Sequence, residues 1–181
     1  HPVADSLATV RGLASSKRFD GEVSVLVPTL NEEKVIEGAL ATLRRQNFPA
    51  KIVLVDSYSS DKTVKVASPW VDDVIMAPKG KLSAMNYAME RVDADVVAFA
   101  DADCIYPRSW LGEITRPFAS QKVAMVSGMC LVYGDINLIP SMLGMMLLNV
   151  STPLLGNSTA SNRAIRRGKF LSAGGYCTKR L

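Results

Sequence analysis

A chain of 181 residues with 48% hydrophobic and 21% charged side chains is long enough for one domain to bury its own core, and this composition excludes collagen-like, low-complexity and wholly disordered chains. Its 21 Lys and Arg against 17 Asp and Glu leave a net charge of +4, carried in short pairs such as Arg44-Arg45 and Arg166-Arg167, which suits phosphorylated ligands or an anionic membrane surface and does not point to nucleic acid. Cys104, Cys130 and Cys177 are an odd number without CxxC spacing, so neither a disulfide framework nor a structural zinc site is indicated, and with His1 as the only histidine a histidine-activated nucleophile is removed from any mechanism.

Residues 1–20 read as a helical or loose lead-in without a signal-peptide pattern, because Asp5 and Arg11 interrupt its apolar residues. The start at His1 is that of a trimmed chain, and the odd cysteine count points to reducing, cytoplasmic surroundings. Residues 21–181 then read as one domain. Residues 23–27, Val-Ser-Val-Leu-Val, form a β-branched run closed by Pro28, and 52–55 form another closed by Asp56, the pattern of strands buried on both faces. Between them, 32–46 predicts a helix: Val35, Ile36, Ala39, Leu40 and Leu43 recur at helical spacing, with acids early and Arg44-Arg45 late. The alternation continues with a helix over 61–67, a strand over 73–76, a helix over 82–91 and a strand over 95–100 that ends in Asp101-Ala102-Asp103. A helix over 109–118, one or two strands over 123–132, an apolar helix over 138–150 and a short helix over 166–172 complete the reading. Such alternation predicts an α/β fold, an open and mostly parallel central sheet with helices on both faces.

Residues 136–162 carry no charge. Pro140, Gly144, Asn149 and Pro153 interrupt the stretch, so it does not read as a membrane span. The predicted helix over 138–150 is apolar around nearly its whole circumference and needs cover on every side. Two occupants fit: a core or second copy of the chain, giving a homo-oligomer, or a membrane surface at the cytoplasmic face, with Arg163, Arg166 and Arg167 near anionic headgroups.

Ligands of open α/β sheets bind beyond the carboxyl ends of the strands. Residues 28–33, Asp56 and Asp101 fall there. Each acid alone also fits a turn cap or a solvated group. Asp101 and Asp103 straddle one small residue directly after a hydrophobic strand, where two carboxylates could hold a hard divalent cation beside a diphosphate. Lys79-Gly80-Lys81 precedes a predicted helix, so its ammonium groups and the helix N-terminus favour a phosphate, though the triplet also fits a solvated basic turn. Neither GxGxxG nor GxxxxGK[ST] occurs, which argues against a dinucleotide-dependent dehydrogenase and a P-loop NTPase.

The succession Val-Ser-Val-Leu-Val-Pro-Thr-Leu-Asn-Glu-Glu (23–33), Val-Asp-Ser-Tyr-Ser-Ser-Asp-Lys-Thr (55–63), Lys-Gly-Lys-Leu-Ser-Ala-Met-Asn (79–86) and Ala-Asp-Ala-Asp (100–103) resembles glycosyltransferase family 2 in order and spacing. Ser-Asn-Arg-Ala-Ile-Arg-Arg-Gly-Lys-Phe-Leu-Ser-Ala-Gly-Gly-Tyr (161–176) is similar to the acceptor-side segment of that family, which normally ends Gly-Gly-Phe. The resemblance covers residues 22–176. It implies a Rossmann-like GT-A fold, with residues 21–104 as the nucleotide-sugar-binding half and 105–181 as the acceptor-side half. It also implies an inverting transferase that uses Mn2+ or Mg2+ to move a sugar from a UDP-, GDP- or dTDP-linked donor to an acceptor glycan hydroxyl or a lipid-linked acceptor.

In that likeness Pro28, Thr29, Asn31 and Glu32 line the nucleoside pocket and Asp56 lies beside the base. Lys81 and Asn86 stand near the base and phosphates, Asp101 contacts ribose and metal, and Asp103 is the principal metal ligand. Leu30 stands where the family often has Tyr, Ser57 replaces a second Asp, and Tyr58 replaces a usual Gly. The family's general base belongs to an acidic motif after Gly-Gly-Phe, and residues 177–181 contain no acid. The resemblance therefore implies a transferase whose base is either Asp135 or an acid beyond a trimmed end, or else a non-catalytic nucleotide-sugar-binding or assembly module. A nucleotidyltransferase is disfavoured, because Pro-Thr-Leu-Asn-Glu-Glu stands where such enzymes carry a glycine-rich basic loop.

Overall fold

The computed structural model describes residues 18–128 and 162–177. Nearly all of the lead-in, Cys130, Asp135 and the predicted helix over 138–150 lie outside the described residues. Six strands, β1 (Val23–Thr29), β2 (Lys51–Asp56), β3 (Asp73–Met76), β4 (Val96–Phe99), β5 (Met125–Ser127) and β6 (Arg163–Arg166), form one sheet in the order β3-β2-β1-β4-β6-β5. The expected parallel pairing holds across β3-β2-β1-β4. Beyond β4 the sheet turns antiparallel, with Val96 opposite Arg166 and Phe99 opposite Arg163, and β5 extends it on the far side of β6. The described residues also form five α-helices, α1 (Ile36–Leu43), α2 (Thr63–Ala67), α3 (Lys81–Arg91), α4 (Trp110–Thr115) and α5 (Arg167–Ser172), and short 3-10 turns at Ser68–Trp70 and Arg116–Ala119.

Strand periodicity divides the core into two layers. Val23, Val25, Val27, Ile52, Leu54, Val96 and Ala98 meet Ile36 and Leu40 of α1, Ala67 of α2 and Leu111 of α4 on one face. Leu26, Val53, Val55, Val97 and Phe99 meet Ala84, Met85, Ala88 and Met89 of α3 and Phe170 of α5 on the other. Full burial of a side chain such as Leu26 or Leu54 contributes about 1.5–3 kcal/mol, and both are 0% exposed.

Two boundaries differ from the sequence reading. β1 continues through Pro28 to Thr29, in register with Val55 and Asp56. Leu26 O accepts from Ala100 N at 3.0 Å, and Thr29 O accepts from Ser57 N at 2.9 Å. Alternation then turns the Pro28 nitrogen toward β4, past the last β1–β4 pair at Leu26 and Phe99, so no ladder bond is lost. The helix expected over 32–46 is regular only over Ile36–Leu43, because residues 32–35 form a turn in which Glu32 O accepts from Val35 N and Ile36 N.

The arginines of β6 and α5 stitch this edge to the core. Arg166 donates from Nε to Val123 O at 3.2 Å and from Nη2 to Phe118 O at 2.8 Å and Ser120 O at 3.2 Å. Arg167 donates to Met89 O and Glu90 O on α3. Arg163 is only 5% exposed and lies over the rings of Phe99 and Tyr176. Arg166 and Arg167 are half-buried and spend guanidinium donors on backbone carbonyls. Among the described residues no helix is long and apolar enough to cross a membrane. Arg166→Ala should lower stability by about 1–3 kcal/mol in urea denaturation, because it leaves carbonyls without their donor. Arg166→Lys should recover only part of this, since one ammonium cannot replace the planar fork.

Candidate active site

The parallel strands β1, β2 and β4 deliver their carboxyl ends to one edge of the sheet. There Pro28, Thr29, Leu30, Glu32, Ser57 and Gly80, with Lys81, Asp101, Ala102 and Asp103, line an open cleft of about 360 Å³. Six of the predicted site residues thus meet in one place: Pro28, Thr29, Glu32, Lys81, Asp101 and Asp103.

Behind the cleft a hydrogen-bond lattice fixes the loops after β1 and β2. Asp56, at the end of β2, is 0% exposed. Its Oδ2 accepts from Thr29 Oγ1 at 3.0 Å and Ser59 Oγ at 2.6 Å, and its Oδ1 accepts from Ser59 N at 2.7 Å. Asn31 N donates to Ser59 Oγ at 2.9 Å, while Asn31 Oδ1 accepts from Ser60 N at 2.8 Å. One step further, Glu32 N donates to Thr63 Oγ1, Glu33 N to Asp61, and Lys62 N to Glu33 Oε2. Partial burial raises the Asp61 carboxyl, but the Thr63 and Glu33 donors outweigh this and hold it below its ordinary value. Asp56 and Asn31 are therefore not among the residues lining the cleft. They hold those that are.

Lys81 opens α3, and its Nζ lies 2.6 Å from Asp101 Oδ1. The backbone of Asp101 is positioned from below by Tyr106, whose hydroxyl accepts from Asp101 N at 2.7 Å and donates to Asp101 O at 3.3 Å. Burial first, then the neighbouring Cys104, push the Tyr106 phenol far above its ordinary range, so it keeps its proton and can donate. Asp101, Asp103 and Cys104 offer ligand atoms within 4.8 Å of one another, and Cys104 Sγ lies 3.5 Å from Asp103 Oδ1. Two carboxylates suit a hard cation such as Mg2+ or Mn2+, whereas the thiol is a softer donor.

Asn86 is not among the lining residues. Its side chain pairs with the backbone of Tyr176, donating from Nδ2 to Tyr176 O at 2.9 Å and accepting at Oδ1 from Tyr176 N at 2.8 Å. Gly175, at φ 75°, makes that approach, and a Cβ there would stand 2.8 Å from Asn86 Oδ1. The pairing ties the Gly174-Gly175-Tyr176 turn to α3, next to the Phe99 end of β4. Sequence reasoning does not single out Tyr106 or Cys104: a tyrosine five residues after an acid carries no periodic signal that separates it from a core aromatic.

Lattice and lining should separate on substitution. Asp56→Ala should cost about 1–3 kcal/mol in chemical denaturation, because three donors lose their acceptor. Lys81→Ala, at an exposed position, should stay within about 0.5 kcal/mol of the wild type.

A family model described as Glycosyl transferase family 2 matches residues 24–173. The low-salt glycan biosynthesis hexosyltransferase Agl6 of Haloferax volcanii is 34% identical over 139 residues, which is 74% of this chain and 32% of that protein. The O-antigen chain rhamnosyltransferase WbaN of Salmonella anatum is 27% identical over 175 residues, covering 84% of this chain and 55% of that one. The chain thus spans about a third to a half of the length of these curated relatives. Among solved structures, the mannosyltransferase PcManGT of Pyrobaculum calidifontis, in complex with GDP-Man and Mn2+, superposes with a TM-score of 0.70 at 24% identity, over 98% of this chain and 55% of that chain. The first 349 residues of TarS of Staphylococcus aureus, in complex with UDP-GlcNAc, give a TM-score of 0.65 at 20% identity over 84% of this chain and 47% of that chain. These likenesses confirm the α/β reading and give the fold as GT-A.

Proposed function

This chain belongs to glycosyl transferase family 2, the premise from which we propose that it is an inverting, cation-dependent hexosyltransferase moving a sugar from a nucleotide-sugar to an acceptor hydroxyl or lipid-linked acceptor. The observation that carries the reading is the convergence of Lys81, Asp101 and Asp103 on the cleft that also holds Pro28, Thr29 and Glu32. Support for the donor class comes from relatives named hexosyltransferase and rhamnosyltransferase, and from neighbours named with GDP-Man and UDP-GlcNAc.

The residues divide the work by charge and reach. The Lys81 ammonium, 41% exposed on its side chain, stands at the first turn of an 11-residue helix. There the ammonium and the free backbone N–H groups together favour the diphosphate of a donor. Asp101 and Asp103 would hold the cation, Mg2+ or Mn2+. When bound, such a cation supplies charge stabilisation for a departing diphosphate. Thr29 and Glu32, at the β1 end, face the nucleoside, and Asp56 with Asn31 keeps that end in shape. Asn86 joins the donor side to the Gly174–Tyr176 turn, which we assign to the acceptor side. An inverting course needs a carboxylate within reach of the acceptor hydroxyl to take its proton; Asp135, the acid proposed for it, lies outside the described residues.

Calorimetry with UDP and GDP, with and without Mn2+, tests the donor site. Nucleotide at 100 times its Kd should stabilise the fold by about 2.7 kcal/mol. Asp103→Asn should remove the Mn2+-dependent gain in affinity, while the apo protein stays within about 0.5 kcal/mol of wild-type stability, as expected for an exposed side chain. Equal Mn2+ dependence in mutant and wild type rules the assignment out.

A further inference from the structure

Among the described residues Tyr58 is the only exposed aromatic side chain, with 61% of its surface in water. Its φ is 60°, in the left-handed region that tyrosine seldom occupies. The conformation is imposed from both sides. Ser57 N donates to Thr29 O at 2.9 Å, and Ser59 is held by Asp56 through its backbone and its hydroxyl. A strained backbone that keeps a large apolar ring in water is stable only because its surroundings over-determine it, and such positions cluster at ligand sites. Glycine would occupy this φ without strain, and most of the ring lies in water, so the fold has little to gain from a tyrosine here.

Tyr58 follows Ser57, a lining residue of the cleft, and no lining residue is aromatic. It stands at the end of β2, two strands from β4 in the order β2-β1-β4. Two strand spacings amount to about 10 Å, which sets Tyr58 away from the Asp101–Asp103 end by the reach of a ribose and its base. An exposed aliphatic side chain, Leu30 (46%), lies among the lining residues of the cleft.

We infer that Tyr58 is the stacking platform for the nucleobase of the donor. This rests on the reading of the cleft as a nucleoside-diphosphate site. Stacking uses the π-face that every base presents, so the contact serves uracil and guanine alike, and the rigid loop places the ring before the ligand arrives.

The test compares wild type, Tyr58→Gly and Tyr58→Phe by calorimetry in Mn2+, with UDP, GDP and inorganic pyrophosphate as probes. Tyr58→Gly should weaken both nucleotides about tenfold or more and leave pyrophosphate binding unchanged. Its melting temperature should not fall, because glycine relieves the strained φ. Tyr58→Phe keeps the ring and should bind all three probes as the wild type does. Unchanged nucleotide affinity in Tyr58→Gly overturns the inference, and so does an equal loss for pyrophosphate, which would mean a disturbed loop. A wild type that binds pyrophosphate but neither nucleotide also overturns it. Wild type binding none of the three would instead bring down the donor-site reading itself.

Discussion

A carboxylate withdrawn from water must find donors for its oxygens, and the way Asp56 meets that demand shapes the β1–β2 end of the cleft. Its three bonds reach back to Thr29 on β1 and forward to Ser59 twice. Because Asn31 bonds to Ser59 and Ser60 in turn, the two loops are one body. The turn over 32–35 and the start of α2 are then set by bonds from Glu32, Glu33 and Lys62 to the same lattice. Loss of Asp56 would therefore disturb both loops at once, through the bonds to Thr29 and Ser59.

The antiparallel flank gives the second half of the site its footing. β6 lies between β4 and β5, and its first residue follows Asn162, whose Oδ1 accepts from Trp110 Nε1 at 2.6 Å and whose O accepts from Gly128 N at 2.7 Å. A Cβ on Gly128 would come within 2.6 Å of that same Oδ1, so the close approach requires glycine. Arg163, Arg166 and Arg167 then pin the flank to Phe99, Phe118 and α3. Through Asn86 and Tyr176 the last described turn also closes onto α3. The Gly174–Tyr176 turn and the antiparallel flank are thereby anchored to the helix that begins with Lys81.

Much of this was legible in the sequence because it depends on local pattern. The β-branched runs at 23–27 and 52–55 gave strands, and the acids that follow them fell at the sheet edge where parallel order puts ligands. Pro28 misled, since a proline ends a strand only where its missing N–H faces a neighbour, and that depends on where β4 stops. The early acids Glu32 and Glu33 looked like the first turn of a helix but belong to a turn tied to 61–63, a contact almost thirty residues away in sequence that no local period encodes. Asp56 and Asn31, expected as site residues, are absent from the lining of the cleft and hydrogen-bond to the loops that carry it. The basic cluster at 163–167 looked like a surface because charge alone cannot tell a solvated guanidinium from one spent on backbone carbonyls. Tyr106 escaped notice because its use is in the hydroxyl, while sequence shows only an aromatic.

Two carboxylates at strand ends, Asp56 and Asp101, began as equals in the sequence and differ in what their surroundings allow. Asp56 is sealed, and any exchange of its partners would leave buried donors unmet, at about 1–3 kcal/mol for each. Asp101 is bound to Lys81 across a cleft open to water, with side chains 20% and 41% exposed. A pair of that kind is worth about 0–1 kcal/mol. Its members can part at small cost, Lys81 toward a phosphate and Asp101 toward a cation, while Tyr106 keeps the Asp101 backbone in place. The site thus keeps its rigidity one layer behind the groups that must change partners, and that arrangement lets a charged ligand enter without disturbing the sheet.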